Sequence, residues 1–182
     1  MTDTAATPLG SSPALVPAPV ASDPSADVPT LYEWAGGIDA LIRLTTEFYA
    51  RVPNDPLLAP VFAHMSADHP QHVAQFLGEV LGGPPMYSTA LGGTVGGHAR
   101  MVSHHLGRRL TEAQRARWVQ LLLTCADDGG LPNDPEFRSA FVAYLEWGTR
   151  LAVLNSQPGV AEPTSAPMPR WGWGVPGGPY RP

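Results

Sequence analysis

Proline sets the outer limits of this fold. Of the 21 prolines in the 182-residue chain, six lie in Met1–Pro29 and seven in Ser156–Pro182, among Ala, Ser, Thr and Gly. Proline removes a backbone donor and blocks helix continuation. A segment this rich in it, and this poor in large apolar residues, cannot bury enough surface to offset the entropy of ordering. Both ends, 1–29 and 156–182, are therefore expected to be disordered tails. Trp171, Trp173 and Tyr180 are aromatic residues in the second tail with the means to dock on the core or on a partner, but disorder is the favoured expectation. Residues 30–155 remain as one domain, long enough for a single hydrophobic core.

Inside that domain the apolar spacing is helical. Thr30-x-x-Glu33 is a capping box that opens a short helix, stopped by Gly36-Gly37. Ile38, Leu41, Ile42, Thr45, Phe48, Tyr49 and Val52 recur at steps of three and four, as one face of a helix does. Asp55-Pro56 starts a short turn with Leu57, Leu58, Val61 and Phe62. A helix opening near Asp68–Pro70 shows Val73, Phe76, Leu77, Val80 and Leu81 on one face, with Gly82-Gly83-Pro84 as its stop. Met86–Gly97 reads as a loop, and His98–Leu106 as a short helix. Thr111-x-x-Gln114 opens a helix carrying Trp118, Leu121, Leu122 and Cys125. Asn133-Asp134-Pro135 opens a long last helix. No segment alternates with period two for long enough to form a strand, so the expected class is all-α.

Composition excludes several functions. The net charge is −5 and there is no lysine, so no basic stripe exists to neutralise phosphates, and nucleic acid is not expected as a partner. Pro13, Pro17 and Pro19 interrupt the apolar stretch near the N-terminus, which predicts neither a signal peptide nor a membrane span. The lone Cys125 allows no internal disulfide, and a cytoplasmic location is expected.

All six histidines lie between His64 and His105. Histidine is the commonest metal ligand near neutral pH. A di-iron bundle needs Glu-x-x-His pairs, and none occurs. A zinc site of His69 and His72 with His98 or His105 rests on spacing alone. Haem needs one axial nitrogen and a wide apolar slot. His105 follows Met101 by four residues and Val102 by three, so helical geometry stacks it on apolar neighbours, whereas His104 points about 100° away. That face leaves two readings of His105 open, an axial ligand or a buried core histidine. His64, His98 and His104 read as surface residues.

An ordered series of features then resembles the group II truncated haemoglobins. It runs Gly36-Gly37, Phe48-Tyr49, Asp55-Pro56-Leu57-Leu58, Val61-Phe62, Phe76-Leu77, Gly82-Gly83-Pro84 and Tyr87. Gly97-His98, His105, Trp118 and Tyr144-Leu145-Glu146 complete it. The resemblance implies a two-over-two helical sandwich that binds haem b. It selects His105 as the iron's axial ligand, thirteen residues before Trp118. It places Tyr49 and Trp118 on the distal side, with His69 and Val73 looking onto the same pocket. Phe62, Phe76 and Met101 would pack on the haem, and Arg109, His72 and Tyr87 would meet its propionates. Two departures stand out: Met86–Gly97 is longer than usual in the family, and position 69, often small there, is histidine.

The function so implied is binding of dioxygen and other diatomic gases, with donors from Tyr49 and Trp118 slowing release. Slow release suits nitric oxide or peroxide chemistry better than bulk transport, and it requires a separate, unidentified reductase to restore ferrous iron. Enzymatic activity and homodimer formation are left open. The alternatives are a haem-free helical interaction protein and a haem-based sensor, and the sequence offers no output domain for the latter.

Overall fold

The computed structural model describes residues 28–90, 97–163 and 166–174. Every regular element among these residues is helical. The elements are α1 (Leu31–Trp34), α2 (Gly37–Arg51), a 3-10 turn (Val52–Asn54), α3 (Ala59–Phe62), α4 (His69–Val80), α5 (Met86–Ala90), α6 (Gly97–Ser103), α7 (Glu112–Asp128) and α8 (Pro135–Asn155).

The helix boundaries are set by local chemistry. The Thr30 hydroxyl accepts the Glu33 N–H at 3.1 Å while the Glu33 carboxylate accepts the Thr30 N–H at 2.8 Å, the reciprocal capping box expected for α1. Thr111 and Gln114 repeat it at α7. Asp134 caps α8 by accepting the Phe137 N–H, and its other oxygen accepts the Trp34 indole N–H at 2.8 Å, so one carboxylate starts the last helix and ties it to the first. At the end of α4, Gly83 N–H returns to Gly78 C=O at 2.8 Å and Gly82 N–H to Glu79 C=O at 3.3 Å. This is a Schellman closure, and it places Gly82 at φ 97°, where a side chain is strained.

α2 packs on α4 and on α7, and α7 packs on α8, which is the two-over-two sandwich. Leu41, Leu44, Phe48, Leu77, Val80, Leu122, Phe141 and Leu145 fill the space between them. Phe48 is fully buried, so truncating it to Ala is expected to cost about 3–5 kcal/mol.

Three expectations are corrected. Met86–Ala90 is helix α5, because the buried Glu79 carboxylate on α4 accepts both the Ser88 N–H (2.9 Å) and the Ser88 hydroxyl (2.6 Å), a cap supplied from outside the segment. The helix anticipated over His98–Leu106 ends at Ser103, and His105 stands in the turn beyond it, with its N–H on Val102 C=O at 2.9 Å. The expectation of disorder after residue 155 fails for residues 166–174. The Trp171 N–H donates to Val80 C=O at 2.8 Å and its indole to Ala140 C=O at 3.0 Å, and the Trp173 indole donates to Pro29 C=O at 2.7 Å. The aromatic anchors outweigh the surrounding prolines. The expectations for residues 1–27 and 175–182 lie outside the described residues.

Candidate functional site

A cavity of about 610 Å³ opens between the helices, within the roughly 300–1,000 Å³ usual for small-molecule and cofactor sites. Tyr49 of α2, Phe62 of α3, His69, Val73 and Phe76 of α4, Met101 of α6, His105 and Trp118 of α7 all line it. Residues far apart in sequence, singled out on spacing and resemblance, thus share one wall system.

His105 is held by the helix that precedes it. Its Nδ1 lies 2.8 Å from the Met101 carbonyl. A carbonyl only accepts, so Nδ1 carries the proton and the lone pair resides on Nε2. Burial pushes the imidazole pKa down, the Met101 contact opposes this, and the charges of Arg108, His104 and His98 push it further down. The ring is therefore neutral with Nε2 available, its other nitrogen tied to a backbone carbonyl as in a metal-ligating histidine.

A second cluster joins four helices, α2, α3, α4 and α7. The Tyr49 hydroxyl lies 3.0 Å from His69 Nε2, and the two rings meet edge to face. Phe62 packs on both rings at 5.4 and 5.9 Å, while Phe48 touches Tyr49 and Trp118 at 4.8 and 5.3 Å. Burial raises the Tyr49 phenol pKa far above its ordinary value, against a hydrogen bond from the Trp118 side chain, so the phenol stays protonated. Burial lowers the His69 pKa, and nearby His104, His72 and Arg108 lower it further while Asp68 opposes them. At neutral pH this cluster presents an uncharged phenol, an indole and an imidazole.

Arg100 and Arg108 bring positive charge to the cavity's edge, with His64, His72 and His104 beside them and His72 3.5 Å from Asp68. Tyr87 also lines the cavity but is buried against Phe76, 5.2 Å away, which places it in the wall. Arg109 does not line the cavity. Its backbone turns at φ 53° with its N–H on Ser156 C=O, and it borders a smaller depression with Pro60, Val61, Leu110 and Gln114. Arg108 takes the place at the mouth. No spacing rule chooses between these adjacent arginines, because the choice is made by the turn after Gly107 (φ 70°).

The unanticipated wall residues include Tyr144 and Trp147 of α8, and Pro169 beyond it. The spacing of Tyr144, Gly148 and Ala152 marks one helical face, but it does not say what that face meets. His98, expected at the surface, is half-buried and stacks on Phe76 with centroids 6.3 Å apart. Among the described residues no three His, Cys, Asp or Glu are arranged to hold a metal ion by themselves, so the zinc alternative gains no support.

A wide, largely apolar slot with one oriented imidazole, an array of protonated donors and arginines at its edge fits the needs of a haem group. Residues 30–147 match the bacterial-like globin family. The chain belongs to that family. Over 121 residues this globin is 31% identical to group 2 truncated hemoglobin YjbI of Bacillus subtilis, covering 66% of this chain and 86% of that one. The crystal structure of the truncated oxygen-avid haemoglobin from Bacillus subtilis superposes with a TM-score of 0.59 at 30% identity, over 69% of this globin and 99% of that chain. The haemoglobin of Chloroflexus aurantiacus superposes with a TM-score of 0.58 at 30% identity, over 68% and 97%. No helix among the described residues is long and apolar enough to cross a membrane.

Proposed function

We propose that this globin holds haem b in the 610 Å³ cavity, with His105 Nε2 as the axial ligand to iron, and binds dioxygen and other diatomic ligands with slow release. The observation that carries the reading is the 2.8 Å contact between His105 Nδ1 and the Met101 carbonyl, in a cavity that Tyr49, His69 and Trp118 also line. When bound, the haem supplies an iron with one position open to a diatomic gas.

The chain's own residues then set how tightly a ligand is held. A phenol has one donor and two acceptor sites. When Trp118 and His69 both donate to the Tyr49 oxygen, its O–H is left to point outward at a ligand. Such a bond is worth about 1.5–3 kcal/mol if the acceptor carries charge, or roughly 10–100-fold in dissociation rate. Phe62, Phe76, Val73 and Met101 exclude water, and in a drier site that bond is stronger. Arg108, His72 and His104 offer cationic or hydrogen-bonding partners for propionates at the mouth. The relative described as oxygen-avid supports slow release here. Oxidation of nitric oxide or turnover of peroxide would follow from such a pocket, with an external reductase restoring ferrous iron. The deciding experiment is the visible spectrum of the full chain after addition of one equivalent of haemin and reduction. A sharp Soret band with stoichiometric uptake is expected, and a spectrum identical to free haemin would overturn the proposal.

A further inference from the structure

We infer that Glu162 and residues 166–173 form a strap that clamps the helix leading to His105 and so governs how firmly the cofactor is retained. The inference rests on the haem-binding reading above and concerns a segment outside the family match, which ends at residue 147.

The contacts run along α6 in reverse order. The Ser103 hydroxyl, at the C-terminal end of α6, donates to the Glu162 carboxylate at 2.7 Å. Burial lowers the His98 imidazole pKa, and the neighbouring Pro167 backbone opposes that shift, which puts the strap beside the N-terminal end of α6. At the first residue of α6, a Cβ built on Gly97 would stand 3.2 Å from the Met168 terminal methyl and 2.7 Å from the Ser88 hydroxyl. Met168 therefore sits directly on the α6 backbone, in the space that Gly97 leaves open. Beyond that point Pro169 enters the cavity wall.

The far end of the strap is fixed in the sandwich. The Trp171 ring packs against both Tyr144 and Trp147 of α8, at 5.7 and 5.6 Å, with both its N–H groups bonded to backbone carbonyls of α4 and α8. Trp173 packs edge to face on Trp34 at 5.8 Å. α6 needs such support. It is seven residues long, and among the helices it packs chiefly on α5, itself only five residues long. A short helix is marginal without tertiary contacts, yet this one must hold the Met101 carbonyl that orients His105. The strap supplies contacts at both ends of α6 and anchors them to the two layers of the core.

The test uses the full chain with Trp171→Ala and, separately, Met168→Ala, which removes the α6 contact while leaving both tryptophan anchors. Transfer of haem from the ferric protein to excess apomyoglobin is expected to speed up on the order of tenfold in Trp171→Ala, and by less in Met168→Ala. Amide exchange over residues 97–106 should rise in both variants, with or without haemin, while α2 and α7 keep their protection. Unchanged transfer rates and unchanged exchange over 97–106 in both variants would overturn the strap. So would an increase spread evenly over all helices in Trp171→Ala without a local rise in Met168→Ala, since Trp171 would then be ordinary core packing. If the parent takes up no haemin, the haem-binding proposal falls, and the exchange measurement on the haem-free chain still decides whether the strap holds α6.

Discussion

The Tyr49 hydroxyl and Nε2 of His69 stand 3.0 Å apart, so the Tyr49 phenolic proton has two competing destinations. If Nε2 is bare, it accepts the Tyr49 O–H and draws it away from any ligand. If Nε2 carries a proton, it donates to the phenol oxygen and frees the O–H to reach into the cavity.

Tyr49 is thus the hub and Trp118 acts partly through it. Tyr49→Phe is expected to speed dioxygen dissociation by about 10–100-fold, the loss of one charge-assisted bond. Trp118→Phe should have a smaller effect, because its N–H is shared with the phenol. Stopped-flow displacement by carbon monoxide measures both. Parent off-rates in both variants would remove the cluster from the ligand's surroundings, and a larger effect in Trp118→Phe would reverse the order of importance.

The same relationship has a pH consequence. Protonated His69 can only donate, so acid fixes the Tyr49 O–H toward the ligand and slows release. Burial, together with His104, His72 and Arg108, holds the His69 pKa below its ordinary value, with Asp68 opposing. The change should therefore fall below about pH 6.5, the unperturbed histidine value. His69→Leu should abolish it while the histidines at the mouth remain as controls. A dissociation rate in the parent that is flat, or that rises on acidification, would refute this switch.

At the other histidine, His105→Gly is expected to lose most of its haem affinity and to regain it with millimolar imidazole. His104→Gly, one residue away, should bind normally, because His104 is exposed at the mouth and has no part in the Met101 contact. Haemin titration followed at the Soret band distinguishes them. Equal loss in the two variants would end the assignment of His105.

The long helices were legible because their causes are local. The capping boxes at Thr30 and Thr111, the proline in the first turn of α4 and the apolar steps of α2 each sit within a few residues of what they determine. Helix α5 was illegible for the opposite reason, since its cap comes from Glu79, nine residues upstream on another helix. The docked strap was masked by composition. Its prolines signal disorder, and what overrides them is a pair of tryptophans whose partners, Ala140 and Pro29, are 31 and 144 residues away. In the site, Tyr49, Trp118 and His105 were singled out by an ordered resemblance, and the helices bring all three to one cavity. The exchange of Arg109 for Arg108 depends on backbone dihedrals after Gly107, which no spacing rule specifies.

One further prediction concerns the corner that carries α3 into the cavity wall. Asp55 is buried, and its Oδ1 accepts the N–H groups of Leu57 and Leu58 at 3.0 and 3.1 Å while Oδ2 pairs with Arg117 of α7. Burial alone would raise its pKa, but the hydrogen bonds from Arg117, Leu58 and Leu57 outweigh it and hold the carboxyl below its ordinary value. A carboxylate with a depressed folded pKa contributes stability that is fully present above its unfolded value, about 3.9, and is lost as pH falls through the folded value. Asp55→Ala leaves two backbone donors and Arg117 without this acceptor and should cost about 2 kcal/mol at pH 7. Asp55→Asn keeps one carbonyl oxygen for the turn and loses the ion pair, so its cost should be smaller. Urea denaturation at a fixed cofactor state measures both, since bound ligand would otherwise shift the midpoint. The gap between parent and Asp55→Ala should narrow below about pH 4, where protonation of Asp55 in the parent removes the same interaction. A gap that stays constant down to pH 3 would show that the loss comes from packing at the corner rather than from the charge.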